Sequence, residues 1–124
     1  ILFCNEVFMK KTIYKEEKVI NDNIVCFELN NPIKDEWNIS ENFDFIKKPF
    51  VFTIGVSELI KTNESDEILR DIEIKNIVKE IITFIYERAK IDTLDYLQKL
   101  SINDTKCWII DNGCDICLLL PNEY

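Results

Sequence analysis

The chain has 124 residues, 47% of them apolar, and carries 15 basic against 23 acidic residues, for a formal net charge of −8. This length and apolar content predict one folded domain rather than a disordered chain. The chain contains no histidine and only two glycines, which excludes Ser-His-Asp and Cys-His nucleophiles, histidine-ligated metals and glycine-rich phosphate loops, so we expect no cofactor.

Residues 1–8 have two interpretations. Met9 is followed by two lysines, and the codons of the preceding residues can contain a GAGG ribosome-binding sequence, so the first eight residues could be translated leader and the domain could begin near residue 9. In the alternative interpretation these residues form a strand whose apolar side chains face inward. Nothing in the rest of the chain suggests a second domain.

Three strands are expected in the first half of the chain. Residues 12–18 and 24–29 are rich in strand-forming residues and are separated by Asn21-Asp22-Asn23, which favours a hairpin turn. Pro32 ends the second strand. The segment that follows is predicted to be a loop held by aromatic residues, Trp37 among them, and residues 50–54 read as another strand.

A long helix is the clearest element of the second half. Ser65-Asp66-Glu67 forms a predicted helix start, with acidic residues in the first turn. Between Glu73 and Lys90, apolar residues recur at steps of three and four, which is helical periodicity. The apolar arc covers about half of the helix circumference or more, so we expect the helix to lie across a sheet or to sit between two layers.

A short second helix and a hairpin complete the predicted fold. Asp92-Thr93 could cap a helix carrying Leu94, Leu97 and Leu100. Residues 107–120 are expected to form a hairpin around Asn112-Gly113. The predicted fold class is α+β, a two-layer domain with a mainly antiparallel sheet.

Two registers are possible for this C-terminal hairpin. A two-residue turn would pair Trp108 with Cys117, whereas a three-residue loop with a bulge would pair Trp108 with Ile116.

The five cysteines include a C-x-x-C pair, Cys114 and Cys117, with Cys107 upstream. Residues three apart on one strand point to opposite faces, so we predict structural thiols rather than a metal or redox site. The odd number of cysteines without secretory spacing predicts reduced thiols and a cytoplasmic protein. No apolar run is long enough to span a membrane, so no membrane association is expected.

Charged residues on the long helix are the candidate site. Lys75, Lys79 and Lys90 fall on one edge, and Glu73, Glu80 and Glu87 fall on the other, with Phe84 at the border of this acidic edge. Acidic side chains around an aromatic residue suit a basic partner. The same pattern is also typical of a solvated helix face. Trp37, in the aromatic loop, is the second candidate contact.

The composition and this acidic edge favour a small protein-binding module of bacterial or phage origin, of the inhibitor or immunity type, that masks a basic surface of a partner. Direct nucleic-acid binding is disfavoured by the acidic net charge. Two alternatives remain: a histidine-free enzyme that uses carboxylates, and a structural subunit of a homo-oligomer.

Overall fold

A computed structural model describes residues 12–30, 48–92 and 94–124. Within these ranges the chain forms six strands, two α-helices and a final 3-10 turn. Their bounds are β1 Thr12–Ile20, β2 Asn23–Asn30, β3 Phe50–Phe52, α1 Ile54–Leu59, α2 Glu67–Ala89, β4 Leu97–Ile102, β5 Thr105–Asp111, β6 Ile116–Leu119 and the turn Pro121–Glu123. The interpretation of residues 1–8 and the predicted loop containing Trp37 lie outside the described residues.

The six strands form one sheet in the order β1-β2-β4-β5-β6-β3. All neighbours are antiparallel except β3 and β6, which run parallel. The predicted α+β class with a mainly antiparallel sheet is therefore confirmed. Among the described strands, β1 and β3 lie at the two edges of the sheet.

The predicted hairpin near the start of the described chain is confirmed, although Asn23, which was predicted to lie in the turn, is the first residue of β2. Ile20 pairs with Asn23, and the two residues between them, Asn21 and Asp22, have φ angles of 46° and 66°. Positive φ at both central positions defines a two-residue turn whose twist matches the strands, and Asn and Asp tolerate this conformation better than most residues.

The predicted long helix is also confirmed. The Asp66 side chain caps α2 by accepting hydrogen bonds from the backbone N–H groups of Ile68 and Leu69, both at 3.0 Å. The buried residues of α2 form the predicted apolar stripe: Ile74, Ile77, Val78, Ile81, Ile82 and Ile85. They pack in one core with residues from one face of the sheet, including Phe27 and Ile109. The other face of the sheet is not covered by α2.

The predicted short helix at residues 94–100 is wrong, because this part of the chain contains strand β4. Three-residue leucine spacing fits a helix, but the alternation of buried Gln98, Leu100 and Ile102 with less buried neighbours fits a strand. Asn103 and Asp104, with φ angles of 49° and 69°, make a second two-residue turn into β5. Pairing with β2 and β5 on both sides outweighs local helical preference.

The prediction of a strand at residues 50–54 is correct only for β3. Thr53 ends the strand and caps α1, since its hydroxyl accepts a hydrogen bond from the Val56 backbone N–H at 3.3 Å. Ile54 consequently begins α1 instead of ending β3.

The C-terminal hairpin is confirmed, but both predicted registers are wrong. Trp108 pairs with Leu119, and Asp111 pairs with Ile116. The loop therefore contains four residues, from Asn112 to 115, and it is closed by a hydrogen bond from the Asn112 backbone N–H to the Asp115 carbonyl at 2.9 Å. Cys114 lies exposed in this loop rather than on a strand, which corrects the expectation that it shares a strand with Cys117.

Replacing Gly113 with Val is expected to destabilise the loop. Gly113 has φ of 91°, a conformation that a β-branched residue adopts only with strain. No atom lies within 4 Å of a Cβ built at this position, so the cost is conformational and should be about 2 kcal/mol. Urea unfolding measures the loss. A matched Cys114→Val variant should change stability far less. Equal losses of stability in the two variants would contradict the assignment of positive-φ strain to position 113.

Candidate binding groove between strand β1 and helix α2

A groove of about 770 Å³ runs between the edge strand β1 and helix α2. One wall is formed by the end of β1 and the turn that follows it. The other wall is formed by the side of α2 between Asn76 and Glu87. The residues that line it are Lys18, Val19, Ile20, Asn21, Asn76, Lys79, Glu80, Thr83, Phe84 and Glu87. The groove therefore contains three of the predicted site residues and joins two segments that are far apart in the sequence.

Phe84 is half-buried and forms part of the groove wall. Its ring centroid lies 4.3 Å from that of Phe27 and 6.0 Å from that of Tyr14. The Lys18 ammonium lies 4.4 Å from the centre of the Phe84 ring, a distance typical of a cation–π contact. Phe84 thus connects α2 to β1 and β2, and it offers a partner only part of its ring.

Two of the three predicted acids line the groove, but Lys18 and Lys79 line it as well, so the predicted separation of Lys79 from the acidic edge is wrong. Glu80 is exposed and forms no ion pair within the described part of the chain. Glu87 lies 3.4 Å from the Lys90 ammonium, but both side chains are more than half exposed, and such pairs contribute little. Glu73 lies elsewhere, where its carboxylate accepts a hydrogen bond from the Asn63 backbone N–H at 2.9 Å.

Cation–π and ion-pair contacts near Tyr14 join the C-terminal end of α2 to β1. The Arg88 guanidinium carbon lies 3.9 Å from the centre of the Tyr14 ring, and Arg88 Nε lies 2.9 Å from Asp92. The Tyr14 hydroxyl donates a hydrogen bond to Glu16, which raises the pKa of the tyrosine. These contacts fix the helix against the edge strand.

The first two turns of α2 carry an exposed aliphatic cluster that the sequence analysis missed. We define it as Ile68, Leu69 and Ile72, whose side chains are 72%, 50% and 49% exposed. At about 100° per residue, these positions lie across the helix from the buried stripe. The signal was present, because extending the helical periodicity back to Glu67 places three large apolar residues on the solvent side.

A second concavity, of about 900 Å³, lies on the sheet face away from α2. Its charges alternate across neighbouring strands: Lys15 is opposite Glu28, Glu28 is opposite Lys99, and Lys99 is opposite Trp108. The Trp108 ring also contacts the Tyr124 ring edge-on at 5.8 Å. Because positive and negative side chains alternate, this surface has no preference for a ligand of one charge.

The thiols are dispersed over the structure. Cys107 is buried in the core, whereas Cys117 lies on the opposite face of the sheet and Cys114 is exposed in a loop. Among the described residues, no three potential ligands come together to hold a metal ion. Burial raises the pKa of the Cys107 thiol to about 11, which keeps this group protonated and unreactive near neutral pH.

The buried Cys107 thiol should make stability fall at alkaline pH. Its ordinary pKa is 9.0, so between pH 9 and about 11 the unfolded chain releases this proton while the folded chain retains it. The free energy of unfolding should then decrease by up to about 1.4 kcal/mol per pH unit. Other groups titrate in this range, so the measurement is the difference in slope between the native chain and Cys107→Ala. Identical slopes would contradict the prediction.

Comparisons with known proteins give no assignment for this site. Neither the protein-family models, nor the curated proteins, nor the solved structures contain a match to the chain. Among the described residues, no helix has the length and apolar character required to cross a bilayer.

Proposed function

We propose that the chain is an acidic protein-binding module that recognises a basic surface of a partner protein through the outer side of α2. The observation that carries the proposal is the exposed aliphatic cluster of Ile68, Leu69 and Ile72. Solvated helix faces seldom present three adjacent large aliphatic residues, and an apolar patch surrounded by charges is typical of an interaction surface.

The acidic residues of α2 support a basic partner. Glu80 and Glu87 are exposed on the outer side of the helix, and the whole chain carries a net charge of −8. A field of this sign accelerates encounters with positively charged surfaces, while the apolar cluster supplies contact area that excludes water. The acidic residues of α2 thus attract the partner, and the aliphatic cluster at the start of the same helix is buried on binding.

The same geometry gives less support to catalysis by carboxylates. Glu80 and Glu87 are seven positions apart, which separates them by about 10.5 Å along the helix axis. Carboxylate pairs that cleave glycosidic bonds lie about 5–9.5 Å apart. The groove therefore fits an extended ligand better than a reaction centre built from these two acids.

The partner can be identified by photo-cross-linking. A photoreactive amino acid at Ile72 should capture a basic protein from the cells that make the chain, and the same group at Val51, exposed on the sheet's other edge strand, serves as the control. Purified partner then allows the rate of association to be measured at several salt concentrations.

Reversing the charge of Glu80 and Glu87 together should slow that association. Replacing both with Lys removes the attraction at the helix, so the association rate should fall about tenfold at low salt and depend less on salt. The matched control replaces Glu58 and Glu64 with Lys, which changes the net charge equally at exposed positions outside the groove. Equal slowing by both variants would show that only net charge matters.

A further inference from the structure

The first two turns of α2 are exposed on every side. All residues from Glu67 to Ile72 are exposed, including Arg70, which lies on the side of the helix that is buried further along the chain. None of them belongs to the core, although this end of the helix carries the aliphatic cluster. A helix end of this composition gains stability when a second helix covers its apolar residues.

The cluster begins a line of residues along the outer side of α2. Steps of three and four residues keep such a line on one side of a helix. Starting from Leu69, these steps reach Ile72, Asn76, Lys79, Thr83 and Tyr86. The first five of the six residues are exposed, and Tyr86 is half-buried. We call this line the outer seam; at about 100° per residue, it lies opposite the buried stripe.

Charges of opposite sign lie on the two edges of the outer seam. Lys75 lies on one edge and Glu80 on the other, and both side chains are exposed. Neither forms an ion pair within the described part of the chain. In two parallel helices that meet along such a seam, a residue on one edge faces the residue five positions later on the opposite edge of the second helix. Lys75 of each copy therefore faces Glu80 of the other, which gives two ion pairs across one interface.

The antiparallel orientation is unfavourable for the same helix. In antiparallel helices each edge faces its own counterpart, so the edge that carries Glu73 and Glu80 would face itself. Like charges in contact are destabilising. Asn76 also favours the parallel orientation, because it lies on the outer seam, where the two asparagines of a parallel pair lie side by side and can form a hydrogen bond.

We propose that a second copy of this chain covers the aliphatic cluster, in a parallel dimer of α2 helices related by a twofold axis. The two sheets then lie on the outside of the dimer, because the outer seam faces away from the core. The inference rests on the proposed function for its consequence: the dimer hides the cluster that the basic partner contacts, so the dimer and the complex exclude each other.

The dimer should be weak. Asn76, Lys79 and Thr83 make the middle of the outer seam polar, so apolar contact is concentrated in the first turns of α2. Two chains that each carry a net charge of −8 also repel each other. We expect a dissociation constant on the order of 100 µM. A dimer of this strength leaves the cluster available to a partner that binds more tightly.

Sedimentation equilibrium of the full chain, from about 5 to about 500 µM, measures this association. Ile72→Ser removes an apolar contact at a position that is 49% exposed in the monomer, so the dimer should weaken at least tenfold while the fold is retained. Val51→Ser is the matched control, because Val51 is 47% exposed and lies on β3. It should leave the dissociation constant unchanged.

Charge reversal tests the contact between the two edges. Lys75→Glu and Glu80→Lys should each weaken the dimer about tenfold, because each change places like charges at both contacts. The two changes combined in one chain restore opposite charges and the native net charge, so the double variant should dimerise as the native chain does. Lys106→Glu and Glu58→Lys, at exposed positions outside α2, control for net charge and should have much smaller effects.

Cross-linking of purified chains establishes the orientation. One copy carries a photoreactive amino acid at Ile72, and the second copy is labelled with a heavy isotope. A parallel dimer should give cross-links to residues 68–76 of the labelled copy. Cross-links to the second half of α2 would instead show an antiparallel dimer and overturn the inference.

The outcomes separate this inference from the proposed function. A chain that stays monomeric at the highest concentration would overturn the dimer, as would a dimer that Ile72→Ser does not weaken or that the double charge reversal does not restore. Capture of a basic partner at Ile72, with slower association of the Glu80 and Glu87 double variant measured well below the dissociation constant of the dimer, would then leave the proposed function standing. A dimer that behaves as expected, without any basic partner captured, would uphold the inference and overturn the proposed function. Addition of the partner should dissociate the dimer, and a dimer that persists within the complex would overturn their mutual exclusion.

Discussion

Replacing Asn23 with Ala should lower the free energy of unfolding by about 3–5 kcal/mol. Asn23 is fully buried. Its side-chain nitrogen donates to the backbone carbonyls of Ile20, Asn21 and Lys61 at 3.0–3.1 Å. Its oxygen accepts from the Lys61 backbone N–H at 2.7 Å and from the Asn103 side chain at 2.9 Å. Truncation leaves these buried groups without their partners.

The loss of stability should be specific to the hydrogen-bond network that Asn23 forms with Asn103. Asn103 donates to the Leu59 carbonyl and accepts from the Ile24 backbone N–H, both within 3.0 Å, so the two asparagines hold the end of α1 against two hairpin turns. Urea denaturation of Asn23→Ala, Asn103→Ala and the double variant should show losses that do not add. Asn76→Ala, at an exposed helix position, should change stability by less than about 0.5 kcal/mol. A loss of stability below about 1 kcal/mol for Asn23→Ala would show that water takes over the hydrogen bonds of the missing side-chain amide.

This network also matters for the groove. Ile20 and Asn21 form one end of its β1 wall, and both offer backbone carbonyls to Asn23. Lys61 precedes α2 in the chain, so the same side chain relates the start of the helix to the end of the edge strand. Loosening Asn23 should therefore increase hydrogen exchange around the turn as well as reduce global stability.

The helix was predictable because its determinants are local. The cap at Asp66 and the three- and four-residue spacing from Ile74 to Ile85 depend on neighbours along the chain. The turn at Asn21-Asp22 was predictable for the same reason, since its two residues are suited to positive φ. Each of these features can be recognised without knowing what packs against it.

Strand β4 depended on distant contacts, whereas the register of the C-terminal hairpin depended on the length of its loop. Leu97 and Leu100 fit a helix locally, but Leu100 pairs with Phe27 on one side and Cys107 on the other. The register of the C-terminal hairpin was set by hydrogen bonds between Asn112 and Asp115 that lengthen the loop. The turn-forming residues indicate where the chain reverses direction, but they do not determine how many residues the loop contains.

The candidate groove was only half predictable. Helical spacing placed Glu80, Glu87 and Phe84 near one another. Their position beside β1 follows from the order of the described strands, in which β1 lies at one edge, and from the packing of α2 on one face of that sheet. Helical spacing also placed Glu73 with the other acids, yet its hydrogen bond to Asn63 directs it away from the groove.

Phe84→Ala should destabilise the chain by about 3 kcal/mol, because it removes a ring packed against Phe27 and Tyr14 and leaves a cavity between helix and sheet. Phe84→Leu keeps most of the volume and should cost less than about 1.5 kcal/mol. Thermal and urea unfolding measure both losses. A change in the free energy of unfolding of less than about 1 kcal/mol for Phe84→Ala would contradict this prediction, because it would mean that neighbouring side chains fill the space left by the ring.

The pair of variants also separates packing from recognition. Phe84→Leu retains the apolar wall but loses the aromatic face beneath Lys18, so the ammonium of Lys18, which already lines the groove, is no longer held against the ring. Because the freed ammonium repels a basic surface more effectively, association with the basic partner captured at Ile72 should slow while the fold is retained. If Phe84→Leu associates with that partner as fast as the native chain does, the ring contributes to stability alone, and recognition must depend on Glu80, Glu87 and the aliphatic cluster.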